Sequence, residues 1–434
     1  MRRWYLFSIP ITALIFAGAT VAVPQRSVAP VLETPYTDQL QTPQVRSLQE
    51  LYKMRDRLRA DLDSPKATPT LTGIGIFSTP TTLLQELQAV EIRIQVEETA
   101  EKNWDRAGQL ADEATDLEKR SDDSTETIKN IHALWQEAVN ALKQVPQNTF
   151  LTATATSQLE AYEKNLSAAS YNYDTARSGF LKAIAERTEL PPEDVFITVC
   201  HLSGECRRWQ GNKMPASPAS LIKMPVAIAL MEKVTTNNIN LDTKVMVSRG
   251  NYTEDASDIW VGSEYTLRKL LQRMINQSSN IATNQLIDYL GRDYINKTMR
   301  DRGFPVTFVD YKLVGQSTYP ANAGSIPNRF TTDELTEMMR QIYAKEHPGD
   351  DLLIEILASQ YDTVLGYDGL RNTTAIWMGE KTGQNSKMLG TTLAFTIDGE
   401  YYIATIALNY SANERALRRC VNDIAKHIEQ EGHL

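Results

Sequence analysis

In the last part of this chain, residues 191–434, strand-like patterns fall near the two ends and helical patterns fill the middle. Val195–His201 and Arg207–Gln210 flank a Ser203-Gly204 turn; Ala375–Thr382, Thr391–Ile397 and Tyr401–Asn409 come near the C-terminus, the last two joined by Asp398-Gly399. Helical spacing runs through about 265–275, 280–290, 332–345 and 350–359. Strands so far apart can share a core only as one sheet assembled from distant segments, which predicts an α+β domain. Ser217-Pro218 reads as a cap and first-turn pair opening a helix through Met231, and Ser411-x-x-Glu414 as a capping box for a final helix.

The preceding residues have other textures. Residues 82–190 are rich in Ala, Glu, Leu and Gln at helical spacing, with almost no Gly or Pro, and breaks at Asp122-Asp123-Ser124 and Val145-Pro146-Gln147-Asn148. They predict a helical bundle or coiled module of three or more helices, a stalk or an interaction module for a protein partner. Trp104-x2-Ala107-x2-Leu110 is echoed at Trp135-x2-Ala138-x3-Leu142, which reads as helix-on-helix packing rather than a peptide groove. Residues 24–81 form a Pro/Thr-rich spacer with one amphipathic helix near Val45–Leu62. At the start, Met1-Arg2-Arg3 precedes an apolar run over residues 4–23, the pattern of an export signal. Residues 1–23 are thus a cleaved signal peptide or a membrane anchor, and the rest works in the bacterial cell envelope, in the periplasm or on the outer side of the inner membrane.

Composition narrows the chemistry. A net charge of −9 argues against a nucleic-acid partner. Three cysteines and five histidines, with no HExxH, give no basis for a metal or cofactor. Cys200 and Cys206 flank a tight turn but point diagonally across the hairpin, which argues against a mutual disulfide; Cys420 sits on the apolar stripe of the last helix, as a core residue. His201 reads as structural, and Trp260 as a surface or core aromatic.

Three short motifs carry the chemistry: Ser220-Leu221-Ile222-Lys223, Ser278-Ser279-Asn280 and Lys381-Thr382-Gly383, separated by 58 and 103 residues from first position to first position. Each alone is a short pattern that chance can produce. Their order, with the first on a helix start and the last ending a strand, is specific. Ser220 and Lys223, three apart on a helix, share a face, so the amine can take the hydroxyl proton if its pKa is depressed. A Ser-His-Asp triad is rejected, since no G-x-S-x-G occurs.

In order and context these motifs resemble the penicillin-recognising serine enzymes, most closely the class A β-lactamase-like family, over about Pro192–Leu434. Tyr265-Thr266, Met274-Ile275, Ala282 and Asn284 support the resemblance. It implies an antiparallel sheet flanked by helices plus an all-α subdomain, and a serine acyl-hydrolase acting on β-lactams or D-Ala-D-Ala-like peptidoglycan peptides. It implies Ser220 as nucleophile, Lys223 as base with Lys381 close by, and Ser278 as proton shuttle to the leaving nitrogen. Asn280 would bind the substrate amide, Lys381 and Thr382 its carboxylate, and the backbone N–H groups of Ser220 and Gln384, beside Gly383, would form the oxyanion hole. Two departures stand out. Class A enzymes activate the deacylating water with a loop glutamate, yet no glutamate occurs between Glu264 and Glu334, where Asp310 is the acid that falls on a loop. Ser279 also stands where aspartate is commoner. Asn328-x-x-Thr331-Thr332 resembles the family's exit from that loop. The expectation is intact acylation with slow deacylation; a DD-peptidase-type penicillin-binding protein and a catalytically weak sensor or scaffold are the alternatives.

Overall fold

The computed structural model describes residues 45–64, 80–120, 124–255 and 257–434; the apolar run at 4–23 lies outside them. Two compact units result, divided after Gln95. In the first, α1 (Leu48–Asp63) is capped by Ser47, whose side chain accepts from the Glu50 N–H. Arg59 of α1 pairs with Glu91 on the first part of α2 (Pro80–Arg120).

In the second unit, residues 96–120 of α2 pack with α3 (Thr125–Lys143) and α4 (Thr152–Ala176). The breaks fall where Asp122–Ser124 and Val145–Asn148 interrupt the helical spacing. Trp135 is buried among Ala111, Ala114 and Ala138, and Trp104 packs beside Ala107 and Ala141, so both tryptophans hold helix on helix.

The C-terminal part is built on one antiparallel five-stranded sheet, in the order β2 (Cys206–Trp209), β1 (Val195–His201), β7 (Glu400–Asn409), β6 (Met388–Ile397), β5 (Ile376–Asn385). The first two strands are thus joined to the last three, as the two-ended pattern requires. Alternation on the pleat gives the sheet two buried faces. Val195, Ile197, Leu393, Phe395, Ala404 and Ile406 share one apolar cluster with Leu417 and Ile424 of the last helix, α13 (Glu414–Glu431). Phe196, Ala394, Ile403 and Ala407 turn the other way, into a cluster with the middle helices. These are α6 (Lys223–Thr236), α7 (Leu267–Asn276), α8 (Asn280–Leu290), α9 (Arg292–Asp301), α10 (Thr332–Tyr343) and α11 (Asp350–Leu357). A two-stranded ribbon, β3 (Lys244–Met246) with β4 (Glu264–Thr266), lies among them in sequence.

Several local expectations change. Leu181, Ile184 and Ala185 of α5 (Gly179–Glu186), read as helical-module residues, belong to the sheet's α13-side core. The final helix is capped by Asn413, which accepts from the Ala416 N–H, rather than by Ser411. Cys200 and Cys206 do form a disulfide. Strand β2 begins at Cys206, one residue earlier than expected, so the two cysteines lie directly opposite each other. The His201 N–H donates to the Glu205 carbonyl (2.8 Å), which leaves the cysteine pair at a non-hydrogen-bonded site, where side chains approach most closely. Cys420 is buried, and burial pushes its thiol up to about 12.

The end of α4 is fastened to the β2 edge. Asp174 accepts from the Cys206 N–H (3.2 Å) and Arg208 (2.9 Å), while the Tyr171 hydroxyl donates to Asp333 (3.0 Å) at the start of α10. Among the described residues no helix is long and apolar enough to cross a membrane, and no His/Cys/Asp/Glu cluster is placed to hold a metal ion.

Candidate active site

The first motif does not start as a regular α-helix. Residues Ala219–Ile222 form a 3-10 turn that runs into α6 at Lys223. In a 3-10 turn positions i and i+3 eclipse, so Ser220 and Lys223 are brought together even more directly than on an α-helix. The Ala219 backbone is left-handed (φ 44°), a costly conformation for a residue with a Cβ, immediately before the serine. Ser278 is likewise left-handed (φ 56°), at the joint between α7 and α8.

These two constrained joints converge on one amine. The Lys223 Nζ lies 3.0 Å from the Ser220 Oγ, 3.0 Å from the Ser278 Oγ and 2.9 Å from the Asn280 Oδ1, and also meets the Ser278 carbonyl. Lys223 is fully buried. Burial, then the Lys381 cation, pushes its pKa well below the ordinary lysine value, while Asp255 opposes the shift. The uncharged amine can therefore be populated without extreme alkalinity. It then has a lone pair to take the Ser220 proton.

Strand β5 carries the third motif. Glu380 and Lys381 are neighbours and point to opposite faces. Glu380 lies beside Thr391, with the Gly366 and Tyr367 N–H groups of α12 (Gly366–Gly369) on its carboxylate, and burial raises it to about 7. Lys381 is wholly buried, and burial lowers it to about 8 against the pull of Asp362 and Glu380; its Nζ donates to the Thr382 carbonyl (2.7 Å). Gly383 lets β5 approach the serine turn: a Cβ there would stand 3.0 Å from the Leu221 nitrogen and 3.1 Å from the Ser220 nitrogen. That closeness sets the Ser220 amide against the Gly383-Gln384 stretch, as an oxyanion hole requires.

A cleft of about 280 Å³ opens on this group, and Ser220, Ser278, Thr382, Gly383 and Gln384 line it together with Asn276, Gln277, Gln360, Tyr361 and Asp362. All eight residues singled out by the motifs thus meet in one place: five line the cleft wall, and Lys223, Asn280 and Lys381 lie behind it. Three carboxylates were not legible in the motifs. Asp255 accepts from the Ser279 hydroxyl and from the Ile281 N–H (2.8 Å), so the loop before β4 supplies the acid that the second motif lacks. Asp362 accepts from the Thr382 hydroxyl (2.9 Å). Glu380, one position before the third motif, is the other. Trp260 is 67% exposed and does not line the cleft, and His201 bonds to Ser203 and Glu400 at a strand end.

The expected loop glutamate has no substitute in Asp310. Its carboxylate accepts from the Ser325 and Ile326 N–H groups (2.7 Å each) and pairs with Arg292 (3.3 Å), which holds its pKa low. Asn328 clasps the same segment, accepting from the Asp310 and Tyr311 N–H groups (2.8 Å each).

Comparison with known proteins agrees with this construction. No curated protein is significantly similar in sequence. Among solved structures, PBP-A shares 20% identity at a TM-score of 0.50, covering 58% of this chain and 97% of that one. A β-lactamase from Sphaerobacter thermophilus gives the same identity, score and coverage, and the TLA-3 extended-spectrum β-lactamase gives 14% identity at 0.50, covering 58% and 99%. At such identities the likeness is one of fold. A mutant of PBP-A, 21% identical at 0.51 and covering 58% of this chain and 97% of its own, was solved as its acyl-enzyme complex with penicillin G. The family model described as the Beta-lactamase enzyme family matches residues 184–431, more than half of the chain, and to that family the chain belongs.

Proposed function

We propose that the chain is a serine acyl-enzyme former acting on β-lactams or on D-Ala-D-Ala-like peptidoglycan peptides, with slow deacylation. One observation carries this reading: the Lys223 Nζ stands 3.0 Å from both the Ser220 and Ser278 hydroxyl oxygens, in a buried site that favours the neutral amine. Ser220 Oγ attacks the amide carbonyl as Lys223 takes its proton. The carbonyl oxygen, now negative, is held by the N–H groups of Ser220 and Gln384, each donor of this kind being worth about 3 kcal/mol. The proton passes through Ser278 to the nitrogen, the C–N bond breaks, and an ester on Ser220 remains. Asn280 orients the substrate amide, and Lys381 supplies positive potential.

The penicillin adduct of the PBP-A mutant supports β-lactam chemistry in this fold. A second reading, a sensor that captures a β-lactam or muropeptide and signals through a partner of the helical module, is favoured by the engaged state of Asp310. A cell-envelope location suits both, supported by the N-terminal sequence pattern and by a disulfide that an oxidising compartment would preserve.

Intact-mass measurement after prolonged incubation of the full chain with benzylpenicillin tests the reading. One adduct that persists for hours, absent from Ser220→Ala, is expected. Rapid turnover would refute slow deacylation, and an adduct retained in Ser220→Ala would refute the nucleophile.

A further inference from the structure

Glu254 and Asp255 are neighbours in the loop before β4, and their carboxylates reach different parts of the molecule. Asp255 meets the second motif: its Oδ2 accepts from the Ser279 hydroxyl and from the Ile281 N–H (2.8 Å), so it holds the residues on both sides of Asn280. Glu254 meets the segment between α9 and α10. Its carboxylate accepts from the Ser317 N–H (3.2 Å), the Ser317 hydroxyl (2.8 Å) and the Thr318 hydroxyl, while its own N–H donates to the Thr318 Oγ1 (3.2 Å). The turn that receives it is closed by the Gly315 N–H on the Thr318 carbonyl (3.0 Å). Gly315 is not left-handed, so backbone conformation does not call for a glycine there; space does, because a Cβ would overlap the Glu254 Oε2. The same segment returns to α8, where Asn284 bonds both main-chain groups of Leu313 (2.7 and 2.9 Å). A closed ring results. It runs from the start of α8 through Asp255, Glu254, Ser317-Thr318 and Leu313 to Asn284, one turn further along α8.

We infer that Glu254 is a positioning residue for acylation: it closes this ring, and the ring fixes Ser278 and Asn280 against the Lys223 amine. Glu254 does not line the cleft, so its effect runs through Asp255 and the start of α8. The contacts it governs are those where small errors matter. The Lys223 Nζ reaches the Ser278 Oγ at 3.0 Å and the Asn280 Oδ1 at 2.9 Å, and a displacement of about 1 Å at such contacts can cost about 10²-fold in rate. Glu254 is exposed, so the ring can be opened there without disturbing the core. The inference rests on the acyl-enzyme reading above and adds to it a residue outside the cleft.

Acylation of the full chain by benzylpenicillin, followed by intact mass over a range of concentrations, separates the maximal rate from the half-saturating concentration. Glu254→Ala should lower the maximal rate about three- to tenfold and leave the half-saturating concentration unchanged, since no contact with the ligand is lost. Gly315→Ala opens the ring from the other side. The Glu254 carboxylate ends a long, exposed side chain and swings away from the new Cβ, so the rate should fall by a similar factor with Tm within about 2 °C of wild type. The double variant should be no slower than the slower single one, because a ring opened once is open. Glu254→Gln keeps a carbonyl oxygen for the Ser317 and Thr318 donors and should retain most of the rate. Three results would each overturn the inference alone: an unchanged rate in Glu254→Ala, losses that multiply in the double variant, or a Gln variant as slow as the Ala one, which would assign the effect to charge. No adduct on the wild-type protein sinks the acyl-enzyme reading and the inference with it.

Discussion

Replacing Ser279 by aspartate, the commoner residue at that place in the family, should destabilise this protein in a pH-dependent way. Ser279 is fully buried; its hydroxyl donates to Asp255 and accepts from the Ala282 N–H (3.1 Å) at the start of α8. A carboxylate there would face a second one. At about 3 Å and an effective dielectric constant near 20, two charges repel by about 5 kcal/mol. The alternative is that one carboxyl keeps its proton, which costs about 1.4 kcal/mol for each pH unit above its normal pKa near 3.9, or about 4 kcal/mol at pH 7. The cheaper route wins, so the folded variant binds one proton more than the unfolded chain. A pKa raised in the folded state gives no penalty below the unfolded value and a growing one above it. Relative to wild type, Ser279→Asp should therefore lose about 1.4 kcal/mol per unit between pH 5 and 7. For a domain of this size the total at pH 7 corresponds to a Tm lower by roughly 10 °C. Calorimetry of the full chain at several pH values measures it, and Ser279→Asp combined with Asp255→Asn should recover the wild-type slope. A Tm difference that is flat with pH, or a double variant that keeps the slope, would show that Asp255 does not occupy the place of the motif's acid.

Other perturbations test separate parts of the site. Gly383→Ala puts a Cβ against the Leu221 and Ser220 nitrogens, atoms of the main chain that cannot swing aside; acylation should fall about 10- to 100-fold, with a stability loss of about 1–3 kcal/mol, both measured on one preparation. Lys381→Met removes the cation that helps depress Lys223, so the Lys223 pKa rises and the acidic limb of the acylation-rate profile should move to higher pH. An unmoved limb would mean that burial alone sets the base. The double replacement Cys200→Ser with Cys206→Ser opens a loop with a sequence separation of 6, and denaturant unfolding should show a loss of about 2 kcal/mol on the loop-entropy model.

What could be read in the sequence depended on how local its cause was. Ser220 and Lys223 are three residues apart, and any helical turn of either pitch puts them side by side. Asn280 and Lys381 were legible because their motifs carry fixed local geometry, a helix start and a strand end. Asp255 and Asp362 have no such signature. Each acts through one loop meeting a distant motif, 24 and 20 residues away respectively, and short-range spacing is blind to that. The cysteine pair failed for another reason. A one-residue difference in where β2 begins turns a diagonal pair into a facing one, because side chains alternate with a period of two. The same sensitivity explains the helix cap that moved from Ser411 to Asn413: two cap-competent residues lie two apart, and tertiary packing chose between them.

The segment between α9 and α10 shows why a missing glutamate is more than a missing letter. A deacylating base must have a free carboxylate oxygen aimed at water beside the ester. Here the carboxylates that touch the segment are spent on holding it. Asp310 takes two backbone N–H groups and Arg292. Glu334 takes the Val306 and Thr307 N–H groups (2.8 and 2.6 Å) and the Thr307 hydroxyl. Asp288 pairs with Lys312 (2.8 Å), which is only 2% exposed and also donates to Asn251 and to the Ala321 carbonyl. Asn284, one turn after Asn280 on α8, clasps Leu313 through both its N–H (2.7 Å) and its carbonyl (2.9 Å). The segment is thus pinned to the helix that carries Asn280 at its first position, by groups that in a hydrolase with fast turnover would include a water-activating acid. Freeing Glu334 would unpair the Val306 and Thr307 N–H groups and the Thr307 hydroxyl, all part-buried or buried, before it gained a base, at about 1–3 kcal/mol for each buried donor left unsatisfied. The proposed slow deacylation would follow from how this segment is held, and a single substitution that frees Glu334 should loosen the segment before it speeds turnover.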